Sequence, residues 1–132
     1  MFRLSVVTPE KTVLEQEARS VIAPGSEGYL GVLTNHAPLI TALIPGKLTV
    51  TDAYNNDSEY ALSGGFLEVS HNVLTVLADA MELVGDIDVD RARRAEQRAR
   101  DRLSHRSQPG VDVPRAELAL AKAINRIRLV AH

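Results

Sequence analysis

Gly85-Asp86-Ile87-Asp88-Val89-Asp90-Arg91-Ala92 marks a change of period in this chain. Before it, apolar residues alternate with polar ones; after it, they recur at the spacing of a helix face. Asp86 and Asp88 offer side-chain oxygens for an N-cap, and Asp90 suits the positive end of a helix dipole. Ala92, Ala95, Ala99 and Leu103 then continue on one face, which predicts a helix over Val89 to Ser104.

Downstream, Ser107 to Gly110 breaks the helix, and Asp112 with Pro114 starts another, since proline is tolerated in a first turn. Ala116, Leu120, Ala123, Ile127 and Val130 form its apolar stripe. Two helices joined by a short polar loop predict an antiparallel hairpin. Its small residues permit close backbone approach but bury little apolar area, so the hairpin is expected to be only marginally stable alone. That property suits a reversible switch, and equally a small accessory hairpin.

Upstream, short strands are expected at Phe2 to Val6, Thr12 to Glu15, Ser20 to Ala23, Lys47 to Thr51, Glu59 to Leu62, Phe66 to Val69 and Val73 to Ala78. Pro24-Gly25, Gly28, Asn35, Pro45-Gly46, Asn55-Asn56-Asp57, Gly64-Gly65 and His71-Asn72 supply turn chemistry between them. Gly25, Gly28 and Gly31 are not followed by Lys-Ser/Thr or by a helical pattern, so they are read as turn glycines rather than a phosphate loop. The expected architecture is an all-β sandwich N-terminal domain, residues 1–85, followed by a C-terminal α-helical antiparallel hairpin, residues 86–132.

Composition narrows the function. None of the 132 residues is cysteine, which excludes disulfides and thiolate-metal sites. Histidines 36, 71, 105 and 132 are too scattered to suggest a metal cluster, and no run approaches the ~20 apolar residues of a membrane span. From Asp88 onward, ten arginines and one lysine face six acids, a net +5 in a chain whose total is −2. Such segregation suits an acidic surface or a polyphosphate, although a solvated helix face reads the same way.

An enzyme using Asp79, Glu82 or His71 lacks a visible nucleophile, base and orienting group. A nucleic-acid hairpin is disfavoured by the acidic front half and by the absence of aromatics in the tail.

Four motifs carry a family resemblance. Gly25-Ser-Glu-Gly-Tyr-Leu-Gly-Val-Leu-Thr-Asn-His-Ala-Pro-Leu39 resembles the glycine-acid-glycine turn and His-Ala-Pro-Leu run of epsilon subunits of bacterial-type (F-type) rotary ATP synthases. Ser63-Gly-Gly-Phe-Leu-Glu-Val69 with Val73 to Ala78 resembles that family's last sandwich strands. Ile87-Asp-Val-Asp-Arg-Ala92 looks like its Ile/Leu-Asp-x-x-Arg-Ala motif, and Arg115 to Arg126 looks like its second helix. The motifs occur in the family's order across nearly the whole chain.

The resemblance implies a non-catalytic rotor subunit whose sandwich binds the gamma subunit and the c-ring, coupling catalysis to proton flow. Ser26, Glu27, Gly28 and Tyr29 are the implied ring contact, with His36 a further gamma or ring contact or a residue that shapes its loop. The hairpin is implied to lie folded or to extend into the alpha/beta hexamer, where arginines opposing acidic beta-subunit loops block ATP hydrolysis. No cofactor is required. ATP is an implied regulatory ligand of the folded hairpin, held by Glu82, Ile87, Asp88, Arg91, Ala92, Arg98 and Arg126. Lys122 departs from the pattern, placing a point charge where stronger binders have arginine's forked donor. Asp88 as a plain N-cap, paired with a surface Arg91, stands beside the nucleotide reading. The implied location is the cytoplasmic side of a bacterial plasma membrane, peripheral through the complex.

Overall fold

The computed structural model describes residues 1–131 and divides them into two compact units, Met1–Leu83 and the segment from Val84 onward. His132, which the sequence reading assigns to the hairpin and counts among the histidines, lies outside the described residues.

The first unit holds ten strands: β1 (Phe2–Val7), β2 (Thr12–Ala18), β3 (Ser20–Gly25), β4 (Gly28–Leu33), β5 (Leu39–Leu43), β6 (Gly46–Thr51), β7 (Asp57–Leu62), β8 (Gly65–Ser70), β9 (Val73–Ala78) and β10 (Met81–Leu83). They form one path, β10-β7-β6-β3-β5-β8-β9-β1-β2, with β4 paired to β3. Pairing is antiparallel except between β1 and β9.

The path folds into two layers at β3. Ser20 to Ile22 pair with Thr51 to Thr49 of β6, whereas Gly25 pairs with Leu43 of β5. The β10-β7-β6-β3-β4 and β5-β8-β9-β1-β2 layers therefore share a corner at the end of β3. Backbone bonds from Ser26 N–H to Ala42 C=O (3.0 Å) and from Ile44 N–H to Pro24 C=O (2.9 Å) close it.

Period-two burial fills the space between the layers. Leu4 and Val6 of β1, Val21 of β3, Leu48 of β6, Leu67 of β8, and Leu74 and Val76 of β9 are fully buried. One close approach requires glycine: at Gly65 (φ +142°), an added Cβ would collide with the Leu77 carbonyl where β8 meets β9.

Three strands go beyond the sequence expectation. β4 and β5 occupy the stretch between the Pro24-Gly25 and Pro45-Gly46 turns, and Gly31 lies within β4 rather than in a turn. Alternation fails there because Tyr29, Leu33 and Ile40 place apolar side chains on the outer face. β10 has only three residues, too few to show a period.

The second unit opens with a 3-10 turn at Val84–Asp86, followed by α1 (Val89–Ser104) and α2 (Val113–Val130), which pack on one another. Asp88 caps α1, its side chain accepting the Arg91 N–H at 3.0 Å; Asp86 lies in the preceding turn. Asp112 caps α2 in the same way through the Arg115 N–H at 3.1 Å, with Pro114 in the first turn. The buried helix residues are Ala92, Ala99, Ala116, Ala123 and Asn125. Ala95, Leu103, Leu120 and Ile127 are half-buried, and Val130 is exposed.

Candidate functional site

The sandwich separates its candidate contact residues into two places. Ser26 and Glu27 form the exposed turn between β3 and β4, where Gly28 takes a positive φ of 125°. Tyr29 follows, 57% exposed, and its hydroxyl accepts the Lys47 N–H at 3.0 Å. The Lys47 ammonium pairs with Glu59 at 2.8 Å, and that hydrogen bond and charge raise the lysine above its ordinary value.

His36 lies beyond the opposite end of β4. At about 3.3 Å per residue, this six-residue strand puts roughly 20 Å between the two places. The half-buried His36 ring has Nδ1 at 2.6 Å from the Ala37 carbonyl, and its backbone N–H donates to Leu33 C=O at 3.2 Å.

The outer face of β5, β8 and β9 carries a feature the sequence reading missed. Ile40, Phe66 and Leu77 are 72%, 57% and 54% exposed. Register connects them: Ala42 opposes Phe66, and Phe66 opposes Leu77, so all three occupy the outer face of β5-β8-β9 around one shallow depression with Glu68 and Thr75. The signal was present in the paired apolar neighbours Leu39-Ile40, Phe66-Leu67 and Val76-Leu77. Adjacent apolar residues in a strand must send one side chain to each face. Such a grouping of exposed apolar side chains makes this face a candidate interaction surface.

In the helical unit, Ile87 and Asp88 form the approach to α1, while Arg91, Ala92 and Arg98 lie along it and Arg126 along α2. Glu82 belongs to β10 in the sandwich unit. Arg91 and Arg98, seven residues apart and so near two full turns, share an exposed face. Asp88 meets Arg91 through the backbone N–H, so the cap does not engage the guanidinium. Ala92 is buried, which makes it a packing residue that permits close approach rather than a donor. Lys122 and Arg126 are half-buried.

Among the described residues, no carboxylate pairs with Arg91, Arg93, Arg94 or Arg98, whereas Arg100 pairs with Glu96 one turn away at 3.4 Å. Guanidiniums so disposed suit phosphate or carboxylate oxygens, which they bind in bidentate fashion. Among the described residues no His/Asp/Glu group is arranged to hold a metal, and no helix is long and apolar enough to cross a membrane.

Comparison with known proteins agrees with this division. Residues 1–84 match the family description "ATP synthase, Delta/Epsilon chain, beta-sandwich domain", and residues 86–131 match "ATP synthase, Delta/Epsilon chain, long alpha-helix domain". The ATP synthase epsilon chain of Moorella thermoacetica is 50% identical over 125 residues, covering 95% of this chain and 92% of that protein. That of Desulforamulus reducens is 50% identical over 126 residues, covering 96% and 94%. A chain in the Euglena gracilis mitochondrial ATP synthase structure of OSCP, F1 and c-ring superposes with TM-score 0.81 at 25% identity, covering 98% of this chain and 80% of that one. With both domains matched in order along nearly its whole length, the chain belongs to the ATP synthase delta/epsilon family, among the epsilon chains.

Proposed function

We propose that this chain is a central-stalk subunit of a proton-translocating ATP synthase that joins the gamma subunit to the c-ring and restrains ATP hydrolysis through its hairpin. It is non-catalytic, as an epsilon chain. The observation that carries the reading is the match of both domains, in order, to the delta/epsilon family. The epsilon chains of Moorella thermoacetica and Desulforamulus reducens are bacterial, which supports a peripheral position on the cytoplasmic side of a bacterial plasma membrane.

The apolar outer face is assigned to gamma. Fully burying a side chain such as Ile40, Phe66 or Leu77 is worth about 1.5–3 kcal/mol, so three neighbouring half-exposed ones supply the centre of an interface. The Ser26 to Tyr29 turn is assigned to the c-ring, where Glu27 and the braced Tyr29 hydroxyl are its polar groups.

The α1 arginines are assigned two alternative partners. In an extended hairpin, Arg91, Arg93, Arg94 and Arg98 face acidic loops of the alpha/beta hexamer. In the folded hairpin, Arg91, Arg98 and Arg126 hold ATP phosphates, with Ile87 and Asp88 toward base and ribose. Among the described residues, the exposure of Arg91, Arg93, Arg94 and Arg98 on α1 without carboxylate partners supports both. ATP would then favour the folded state, since a ligand shifts an equilibrium by its differential affinity.

Removing the chain after Gly85 from the assembled complex tests the inhibitory role. Assembly and ATP synthesis are expected to persist while hydrolysis rises; unchanged hydrolysis would remove the role. Calorimetry on the isolated subunit tests the nucleotide, and no heat with millimolar ATP would remove that ligand.

A further inference from the structure

We infer that Asn72 is a positioning residue, whose carboxamide clamps the His36 turn to the N-terminal strand and holds it in shape for the gamma subunit. Its last clause alone rests on the proposed assignment to gamma of the neighbouring Ile40, Phe66 and Leu77 face.

Ser70 pairs with Val73 across a two-residue loop, and both central residues take positive φ, His71 at 51° and Asn72 at 60°. Such a loop favours Asn-Gly, with glycine at its second position. Glycine would serve the turn at position 72; asparagine adds a carboxamide.

That carboxamide is fully directed. Its Oδ1 accepts the Asn35 N–H at 2.8 Å, and its Nδ2 donates to the Met1 carbonyl at 2.9 Å. The Asn72 backbone carbonyl accepts the Arg3 N–H at 3.1 Å. One residue thus ties its own turn to two segments, reached at positions 37 and 71 residues away along the chain.

The segment so held is the turn that carries His36. The Leu33 carbonyl accepts the His36 N–H, leaving Thr34 and Asn35 central, and Asn35 takes a left-handed φ of 61°. A turn of this type leaves the amide of its second central residue without a partner inside the turn, and Asn72 supplies one. His36, Leu33, Phe2, Val69 and Asn72 line one narrow cleft, so the clamp sets both the backbone and the surroundings of the ring. Pro38 and Leu39 then lead directly to Ile40 on the apolar face.

Asn72→Gly removes the carboxamide while retaining, or improving, the turn's backbone preference, so the sandwich remains folded. Hydrogen exchange on the full-length variant should show the Asn35 amide exchanging at least about tenfold faster, with β8 and β9 amides unchanged. Affinity for the purified complex containing gamma should fall about 3- to 10-fold, the scale expected for losing pre-organisation of one turn. Asn72→Asp keeps the acceptor for Asn35 and should restore that amide's protection while losing the bond to Met1. Unchanged Asn35 exchange in Asn72→Gly overturns the positioning role. Faster exchange with unchanged affinity keeps that role and overturns the assignment of this turn to gamma.

Discussion

Asp88 is the residue at which helix capping and the proposed nucleotide contact separate most cleanly. Its Oδ1 accepts the Arg91 N–H at 3.0 Å and satisfies one of the four donors left open at the start of α1. Replacing an Asp N-cap by Ala costs about 1 kcal/mol, close to fivefold in the equilibrium between ordered and frayed first turn. Loss of negative charge at the positive helix end adds about 0.3–1 kcal/mol. The residues buried in the two helices are four alanines and Asn125, so no large apolar side chain among them offsets that loss. Asp88→Ala should therefore speed exchange of the Arg91 to Ala95 amides about 10- to 30-fold, leaving β-sandwich amides unaffected. Asp88→Asn keeps a capping oxygen but loses the charge, and should exchange only about two- to fivefold faster than the native chain. Equal exchange in native and Asp88→Ala chains would refute the capping role, and equal acceleration in both variants would show that charge, rather than the hydrogen bond, holds the turn. Calorimetry with ATP on Asp88→Asn, whose helix is intact, then reads the nucleotide contact alone.

Leu67→Ala, at a fully buried position on β8, should cost about 2–5 kcal/mol and lower the sandwich's thermal midpoint by more than about 10 °C; a smaller shift would mean the core collapses around the gap. Phe66→Glu, one residue away on the opposite face, should change stability by less than about 0.5 kcal/mol yet weaken binding of gamma more than about tenfold, as read by pull-down and calorimetry. Asp52 accepts the N–H groups of Asn56 and Tyr54, which hold its carboxyl below the ordinary 3.8. Because the folded value is the lower one, the stabilisation is present above about pH 4 and lost as pH falls through the folded value. Asp52→Asn should therefore melt lower than the native chain near pH 7 and alongside it near pH 2; a difference independent of pH would sink the assignment.

The boundaries of α1 were legible because every signal there is local. Asp88 caps through a residue three positions away, and Ala92 and Ala99 repeat within one helix, so short-range patterns contain the information. The same holds for β1, β6, β8 and β9, whose inward leucines and valines alternate. The family resemblance was carried by motifs equally compact.

β4 and β5 were not legible, and the reason lies in where their side chains point. Their apolar residues point outward as well as inward, which erases the period on which strand reading depends and at the same time creates the Ile40, Phe66 and Leu77 surface. Register across three strands gathers those residues; nothing in the spacing of positions 40, 66 and 77 announces it. In the same way, the sequence by itself marked Asn72 as a turn residue. Only the tertiary structure, by setting the β8–β9 turn beside Met1 and Asn35, made its carboxamide a clamp. Local hydrogen bonds and periodic burial are written in neighbouring residues, whereas a surface or a clamp exists only once distant strands are paired.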